Sequence, residues 1–229
     1  MSRRSYNQYC ATAHALDIVG ERWTLLLVRE LLTGPRRFGD LQANLPGMGT
    51  GLLAARLKYL TEEGVVAPVT LPAPANTPAY ALTEAGHALG PAVLALADWG
   101  MTWALGPRAE GEVYRAGWAV LAMRSAFVPD AAEGVAGVYE FRVADEVFHA
   151  RVEDRSVETV HGPAQRPDVV LTAADGDTFK ALLLGGVSFA DAEREGRATV
   201  AGDRGLLDVL VSLFDWPQPR ERVSSARPR

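Results

Sequence analysis

The chain has one cysteine, Cys10, in 229 residues. No intramolecular disulfide can hold it together, so its folds must rest on packing. It has no run of about 18 apolar residues, the length a membrane helix needs, so no membrane partner is expected. Arg3 and Arg4 make the start positive, but Asn7, Gln8 and Asp17 interrupt the residues after them. No signal-peptide core forms there, and a cytoplasmic location is expected. An excess of basic charge is also missing. The net charge is −5, and residues 1–107 hold eight basic residues against eight acidic ones, so the whole deficit lies in the second half. Overall charge therefore gives a nucleic-acid partner no support, although a neutral domain can still present a basic face. The four histidines, His14, His87, His149 and His161, stand singly without metal-ligand spacing. No nucleophile elbow, phosphate loop or dinucleotide fingerprint occurs. Asp145/Glu146 and Glu153/Asp154 are adjacent carboxylates near strand ends, and neighbours on a strand point to opposite faces, so neither pair is a natural acid–base couple. Neither an enzyme nor a cofactor is expected.

What is present is 48% apolar residues with strong periodicity, enough for buried cores. The pattern predicts short helices over 10–19, 21–32, 38–45 and 50–63, punctuated by Gly20, Thr33-Gly34-Pro35, Pro46-Gly47 and Gly64. The last two, joined by a tight turn with Pro46, Gly47 and Gly49, have helix-turn-helix spacing. In the second of them Leu53, Leu57 and Leu60 form one buried stripe, and Gly51, Ala55, Lys58 and Glu62 lie opposite. Trp23, Leu26, Leu27 and Leu31 are further expected core. Extended segments over 65–71 and 79–82 flank a proline-rich tip, and a helical run over 84–103 ends at a Gly106-Pro107 linker.

Helix-turn-helix followed by a hairpin is the winged-helix order, with one helix in the major groove and the hairpin beside it. The segments ALDIVGERWTLLLVRELL from Ala15, GPRRFGDL from Gly34, LPGMGTGLLAARLKYL from Leu45, EGVV from Glu63 and YALTEAG from Tyr80 occur in this order. Together they resemble the HxlR family of bacterial winged-helix regulators over residues 10–103. The resemblance implies a homodimer, built from the first and last helices of the domain, on a palindromic double-stranded DNA operator. Leu89, Val93, Leu96, Trp99/Gly100 and Trp103 supply a suitable row, with residues 11–16 as the other element. Some relatives sense oxidants or electrophiles through a cysteine near Cys10. Here no basic residue adjoins it to lower its pKa, and it is expected to be a small buried hydrophobe rather than a required redox switch.

DNA-binding candidates are Arg36, Arg37, Thr50, Gly51, Ala55, Arg56 and Lys58. Arg36 and Arg37 precede a helix and suit phosphate contacts. Thr50 is placed to cap the helix or bind a phosphate. Lys58 faces away from the leucines and is the better base or phosphate contact, whereas Arg56 sits on the flank, within reach of Glu30 or Glu63. The helix begins with small residues and residues 70–79 contain no Lys or Arg. Specificity would then lean on DNA shape and on apolar contact with thymine methyls.

From about residue 112 the texture changes. A buried helix is expected over 113–128, including Tyr114, then strands over 138–143, 146–153, 156–160 and 168–173. Helices are expected over 178–184, 191–195 and 205–214. PDVVLTA from Pro167, FKALLLG from Phe179 and AEREGRATVAGD from Ala192 resemble the sterol-carrier-protein family. That resemblance implies an α+β sheet-and-helix fold around an apolar tunnel and a small hydrophobic or aromatic ligand. Candidate lining residues are Trp118, Phe127, Tyr139, Phe141, Phe148, Phe179, Leu183, Phe189, Phe214 and Trp216, residue types that at such spacing are more often simple core.

The expected fold class is α+β in two domains. Residues 1–107 form a winged helix-turn-helix, mostly α with a β-hairpin wing, and residues 108–229 form a sterol-carrier-like domain with a short polar tail. Three functions fit: a regulator whose second half senses a small molecule, a regulator whose second half is structural or binds protein, and a hydrophobic-ligand carrier with a vestigial winged helix.

Overall fold

A computed structural model of the chain describes residues 5–106, 109–113 and 115–217. Arg3, Arg4, Pro107, Tyr114 and the polar tail beyond 217 lie outside the described residues. The chain divides into two compact units, Met1–Val93 and Leu94–Arg229. The division falls within a helix, upstream of the linker expected at residues 106–107.

In the first unit, α1 (Ala11–Val19) and α2 (Thr24–Leu32) precede α3 (Phe38–Asn44) and α4 (Thr50–Glu62). Then come β1 (Val66–Thr70), β2 (Pro78–Leu82), the short α5 (Glu84–His87) and α6 (Gly90–Trp103), which runs on into the second unit. The run expected as one helix over 84–103 is thus two, broken at Ala88 and Leu89. Buried Leu27, Val28 and Leu31 of α2 and Leu41 of α3 join Leu53, Leu57 and Leu60 of α4 in the core. Leu26, expected there, is instead 39% exposed, because it follows the outward turn of α2. Glu30 is buried but satisfied. Its Oε1 accepts from Arg29 Nη2 at 2.7 Å and its Oε2 from Asn44 Nδ2 at 2.9 Å, fastening α3 to α2.

β1 and β2 form an antiparallel hairpin with Val66 opposite Leu82 and Thr70 opposite Pro78. Arg36 adds one bridge, its N donating to Tyr80 O at 2.9 Å and Tyr80 N to Arg36 O at 2.8 Å. Gly86 lies against this hairpin so closely that a Cβ there would sit 2.2 Å from Val65 O. Gly86→Ala should therefore destabilise the first unit by about 2 kcal/mol, as overpacking against a backbone atom that cannot yield. A urea midpoint equal to that of the parent chain would refute the close approach.

The second unit opens with a 3₁₀ turn at Ala116–Trp118 and α7 (Ala119–Ala126), shorter than the helix expected over 113–128. After another 3₁₀ turn, Pro129–Ala132, come β3 (Gly137–Val143), β4 (Glu146–Glu153), β5 (Ser156–His161) and β6 (Val169–Ala173). α8 (Gly176–Leu183), α9 (Phe189–Arg194), β7 (Ala198–Gly202), α10 (Arg204–Leu210) and a last 3₁₀ turn, Val211–Leu213, complete it. The strand order is β5-β4-β3-β6-β7. β3 to β5 are the expected meander, but β3 pairs with β6 in parallel, and β7 adds an edge strand where none was expected. α7 lies against β4 and β5, α8 and α10 against β6, and α9 against β7.

The middle strand β3 is covered on both faces. Tyr139, Phe141 and Val143 enter the core. Glu140, which strand alternation points away from those three side chains, is only 1% exposed. Its carboxylate accepts from Arg142 Nη2 at 2.7 Å and from Ala164 N at 2.8 Å, so the charge is paired and hydrogen-bonded where it is buried. No helix of the described residues is long and apolar enough to cross a membrane.

Candidate nucleic-acid interface and interior site

The face of α4 opposite its leucine stripe is open. Thr50, Gly51, Leu52, Ala54, Ala55 and Lys58 are all exposed. Thr50 is not the cap. Gly49 holds that position in an extended conformation, without a side-chain bond to the helix, and Thr50 is the first helical residue. The opening N–H groups of α4 thus receive no side-chain cap, and their partial positive charge suits a phosphate. Lys58 lies 3.8 Å from Glu62 in an exposed pair, which contributes little and leaves the ammonium available.

The other cations are placed differently. Arg37 is exposed just before α3, its backbone N donating to Asp40 Oδ2 at 3.3 Å. Arg36 is half-buried; its backbone bridges Tyr80 of β2, and its Nη2 donates to Thr33 Oγ1 at 2.7 Å, which holds the side chain against the end of α2. Arg56 pairs with neither Glu30 nor Glu63. Its guanidinium reaches Glu21 at 3.6 Å and lies over the Tyr59 ring, 5.7 Å from the centroid. With a side chain only 14% exposed, it is largely withdrawn from the open face. Nothing local in the sequence signals a partner 35 positions away.

Cys10 corrects another expectation. It is exposed, at the position just before α1. The backbone N–H of Ala13, and next that of Thr12, hold its thiol below the ordinary value, because they stabilise the thiolate. The amides at the start of a helix do what an adjacent basic residue would do. Cys10 is the single cysteine, so whole-protein alkylation reports on it alone. The iodoacetamide rate should rise with pH through a midpoint below that of an unstructured cysteine peptide measured alongside, and then level off. A midpoint at or above the peptide's would contradict the assignment.

Nine of the ten interior candidates meet in one cluster. Tyr139, Phe141, Phe148, Phe179, Leu183 and Phe214 are buried in it, and Phe127, Phe189 and Trp216 pack against it half-buried. Trp118 is half-buried and stands outside that cluster. The rings of Phe141, Phe148 and Phe179 touch mutually, with centroids 5.3 to 5.4 Å apart. Among the described residues, a cleft of about 230 Å³ is lined by Val113, Arg115, Ala116, Val143 to Glu146 and Gly176, none of them among the ten. The Tyr139 hydroxyl is different from its neighbours. It is buried with no hydrogen-bond partner in the protein. Burial, and then the carboxylates of Asp168 and Asp203, push its pKa up to about 12.

A helix-turn-helix with a hairpin wing, followed by a five-stranded α+β unit, defines the class of the molecule. The chain belongs to the HxlR-like helix-turn-helix family, matched over residues 18–106, and its second unit matches the SCP-2 sterol transfer family over residues 121–215. An HTH-type transcriptional regulator of Mycobacterium bovis, Mb3122, is 43% identical over 101 residues, 44% of this chain and 62% of that protein. The HTH-type regulator YvaP of Bacillus subtilis is 38% identical over 89 residues, 39% of this chain and 82% of that protein. The solved reduced form of YodB from B. subtilis is 31% identical, covering 41% of this chain and 92% of that one, with a TM-score of 0.36. The chain thus spans 62% of the length of the mycobacterial relative.

Proposed function

We propose that the chain is a dimeric transcriptional regulator that binds a palindromic double-stranded DNA operator, with residues 1–107 binding DNA and residues 108–229 sensing a small hydrophobic or aromatic molecule. The observation that carries the reading is the open face of α4, Thr50, Gly51, Ala54, Ala55 and Lys58, on the second helix of the helix-turn-helix, the one that such a motif lays in the major groove. Lys58, Arg37 and the uncapped amides of α4 serve the phosphates, with Arg36 at the wing edge. The small side chains let the helix backbone come close to the base edges, where methyl contacts and DNA shape replace hydrogen-bonded readout. Relatives bearing the first unit are named as HTH-type transcriptional regulators, which supports the same reading.

Sensing requires the ligand to bind the DNA-competent and DNA-incompetent dimers unequally. A tenfold change in operator affinity needs about 1.4 kcal/mol of such difference, an ordinary coupling energy. Support for an apolar ligand comes from the SCP-2 match and from the aromatic cluster it contains.

The test begins with selection from random duplexes. On the selected site, Lys58→Ala and Arg37→Ala should each lower the slope of log affinity against log salt by about 0.9, the signature of one lost phosphate contact. Unchanged affinity and slope in both variants would refute this docking. Failure to enrich any duplex would favour a hydrophobic-ligand carrier whose winged helix no longer binds DNA, the reading that the Lys- and Arg-free wing tip favours.

A further inference from the structure

The open face of α4 carries one large apolar side chain. Leu52 is 44% exposed in the first turn of the helix, next to the buried Leu53. Its neighbours on the helix surface, three and four residues on, are Ala55 and Arg56, with Tyr59 one turn further along the same row. Ala55 offers only a methyl group. The Arg56 guanidinium is drawn back to Glu21 and over the Tyr59 ring, and the Tyr59 hydroxyl donates to Asp17 O at 3.2 Å. The polar groups along this row are thus engaged within the first unit, and Leu52 and Ala55 leave an apolar patch in the solvent. Gly51, beside Leu52, is helical, and a Cβ there would meet nothing within 4 Å. Alanine would favour the helix at that position, so the fold itself gives no reason for a glycine.

Resting on the DNA-binding reading above, we propose that Leu52 selects a thymine in each operator half-site by packing against its 5-methyl group, with Gly51 letting that base edge come close. The first residues of the second helix in a helix-turn-helix are the ones that meet base edges. In the major groove thymine alone presents a methyl, whereas adenine and cytosine present amino donors and guanine two acceptors. Against Leu52 and Ala55 an amino group or a bare acceptor loses its bonds to water and gains no partner, which penalises the wrong base. The methyl has no such bonds to lose, and its burial is favourable. A side chain at position 51 would stand between the helix and that edge, which accounts for the glycine.

Deoxyuridine pairs as thymidine does and lacks only the methyl, so it isolates this contact. On the duplex selected from random sequences each thymine is replaced in turn, and affinities are measured for the full chain and for Leu52→Ala. At one thymine per half-site the parent chain should lose about fourfold in affinity, the worth of one buried methyl-sized group. Leu52→Ala should bind the thymine duplex more weakly and no longer distinguish it from the uracil one. Its salt slope should equal the parent's, because no phosphate contact is lost. Gly51→Ala should melt no lower than the parent chain and yet bind the selected duplex less tightly. The proposal falls if no thymine shows the loss, or if Leu52→Ala shows the same loss as the parent. Salt-dependent binding to the selected duplex would in either case leave the DNA-binding reading standing. It falls as well if Leu52→Ala changes the oligomeric state in light scattering, since the leucine would then be covered by a second copy. A Gly51→Ala chain that binds undiminished would refute the close approach. Failure to enrich any duplex would remove both this proposal and the reading it rests on.

Discussion

Replacing Phe179 by alanine is expected to cost the second unit about 3 to 5 kcal/mol. Phe179 is fully buried on α8, and its ring packs edge-on to both Phe141 and Phe148, at centroid distances of 5.3 and 5.4 Å. Removing it deletes the transfer energy of the ring and two aromatic contacts, and leaves a void between α8 and the sheet that β3 and β4 cannot collapse to fill. A domain is typically stable by only about 5 to 15 kcal/mol, so the variant should unfold at a much lower urea concentration. Phe179→Leu, which retains most of the volume, should cost about 1 kcal/mol. Urea denaturation followed by circular dichroism and by tryptophan fluorescence measures both, since Trp118 and Trp216 lie in this unit. A loss below about 1 kcal/mol for the alanine variant would show that the ring borders space rather than filling it.

The elements that could be read from the sequence were those with a strong local signal. Leu53, Leu57 and Leu60 repeat at helical spacing, and Pro46-Gly47 and Gly64 bound their helix, so α4 appears within a residue of its expected limits. β4 likewise alternates cleanly, and its observed bounds are the expected ones. β7 carries no comparable signal. It is Ala-Thr-Val-Ala-Gly, short and small-chained at a sheet edge, with Ala198 alone buried, so its pairing with β6 makes it a strand and its own residues do not. Glu140 alternates correctly with Tyr139 and Phe141, yet its face is covered by the segment that brings Ala164 to it, a long-range event that periodicity cannot report. The interface residues divide the same way. Lys58, Gly51 and Ala55 follow from the helical wheel, whereas the withdrawal of Arg56 to Glu21 depends on how α4 meets the segment before α2. For Cys10, counting neighbouring charges missed the amides of the helix it precedes.

Charging the exposed side of α6 is expected to break the proposed dimer and, with it, operator binding. The row expected from the sequence divides in the fold. Val93 is buried, so the upper part of the row packs within its own chain. Leu96, Trp99 and Trp103 are 52%, 58% and 46% exposed, at intervals of three and four residues that place them on one side of the helix. Leu16 of α1 is likewise exposed. Large apolar side chains do not stand in a row on a helix in water without cost, and a second copy presenting the same row is the simplest cover for them. Burying the remaining surface of each should contribute on the order of 2 kcal/mol, ample for a dimer once summed over both copies. In a twofold interface Leu96→Glu enters twice, placing two carboxylates where desolvation is penalised and no cation answers. Light scattering should then show monomers at micromolar concentration, with circular dichroism unchanged, because Leu96 is not part of the folded core. Ala97→Glu, on the far side of the same helix, should remain dimeric. Monomers lose the gain from two linked half-sites, so affinity for a selected palindrome should fall by at least about 100-fold. A Leu96→Glu protein that stays dimeric would move the interface away from α6, and one that turns monomeric yet binds the palindrome undiminished would separate dimerisation from DNA recognition.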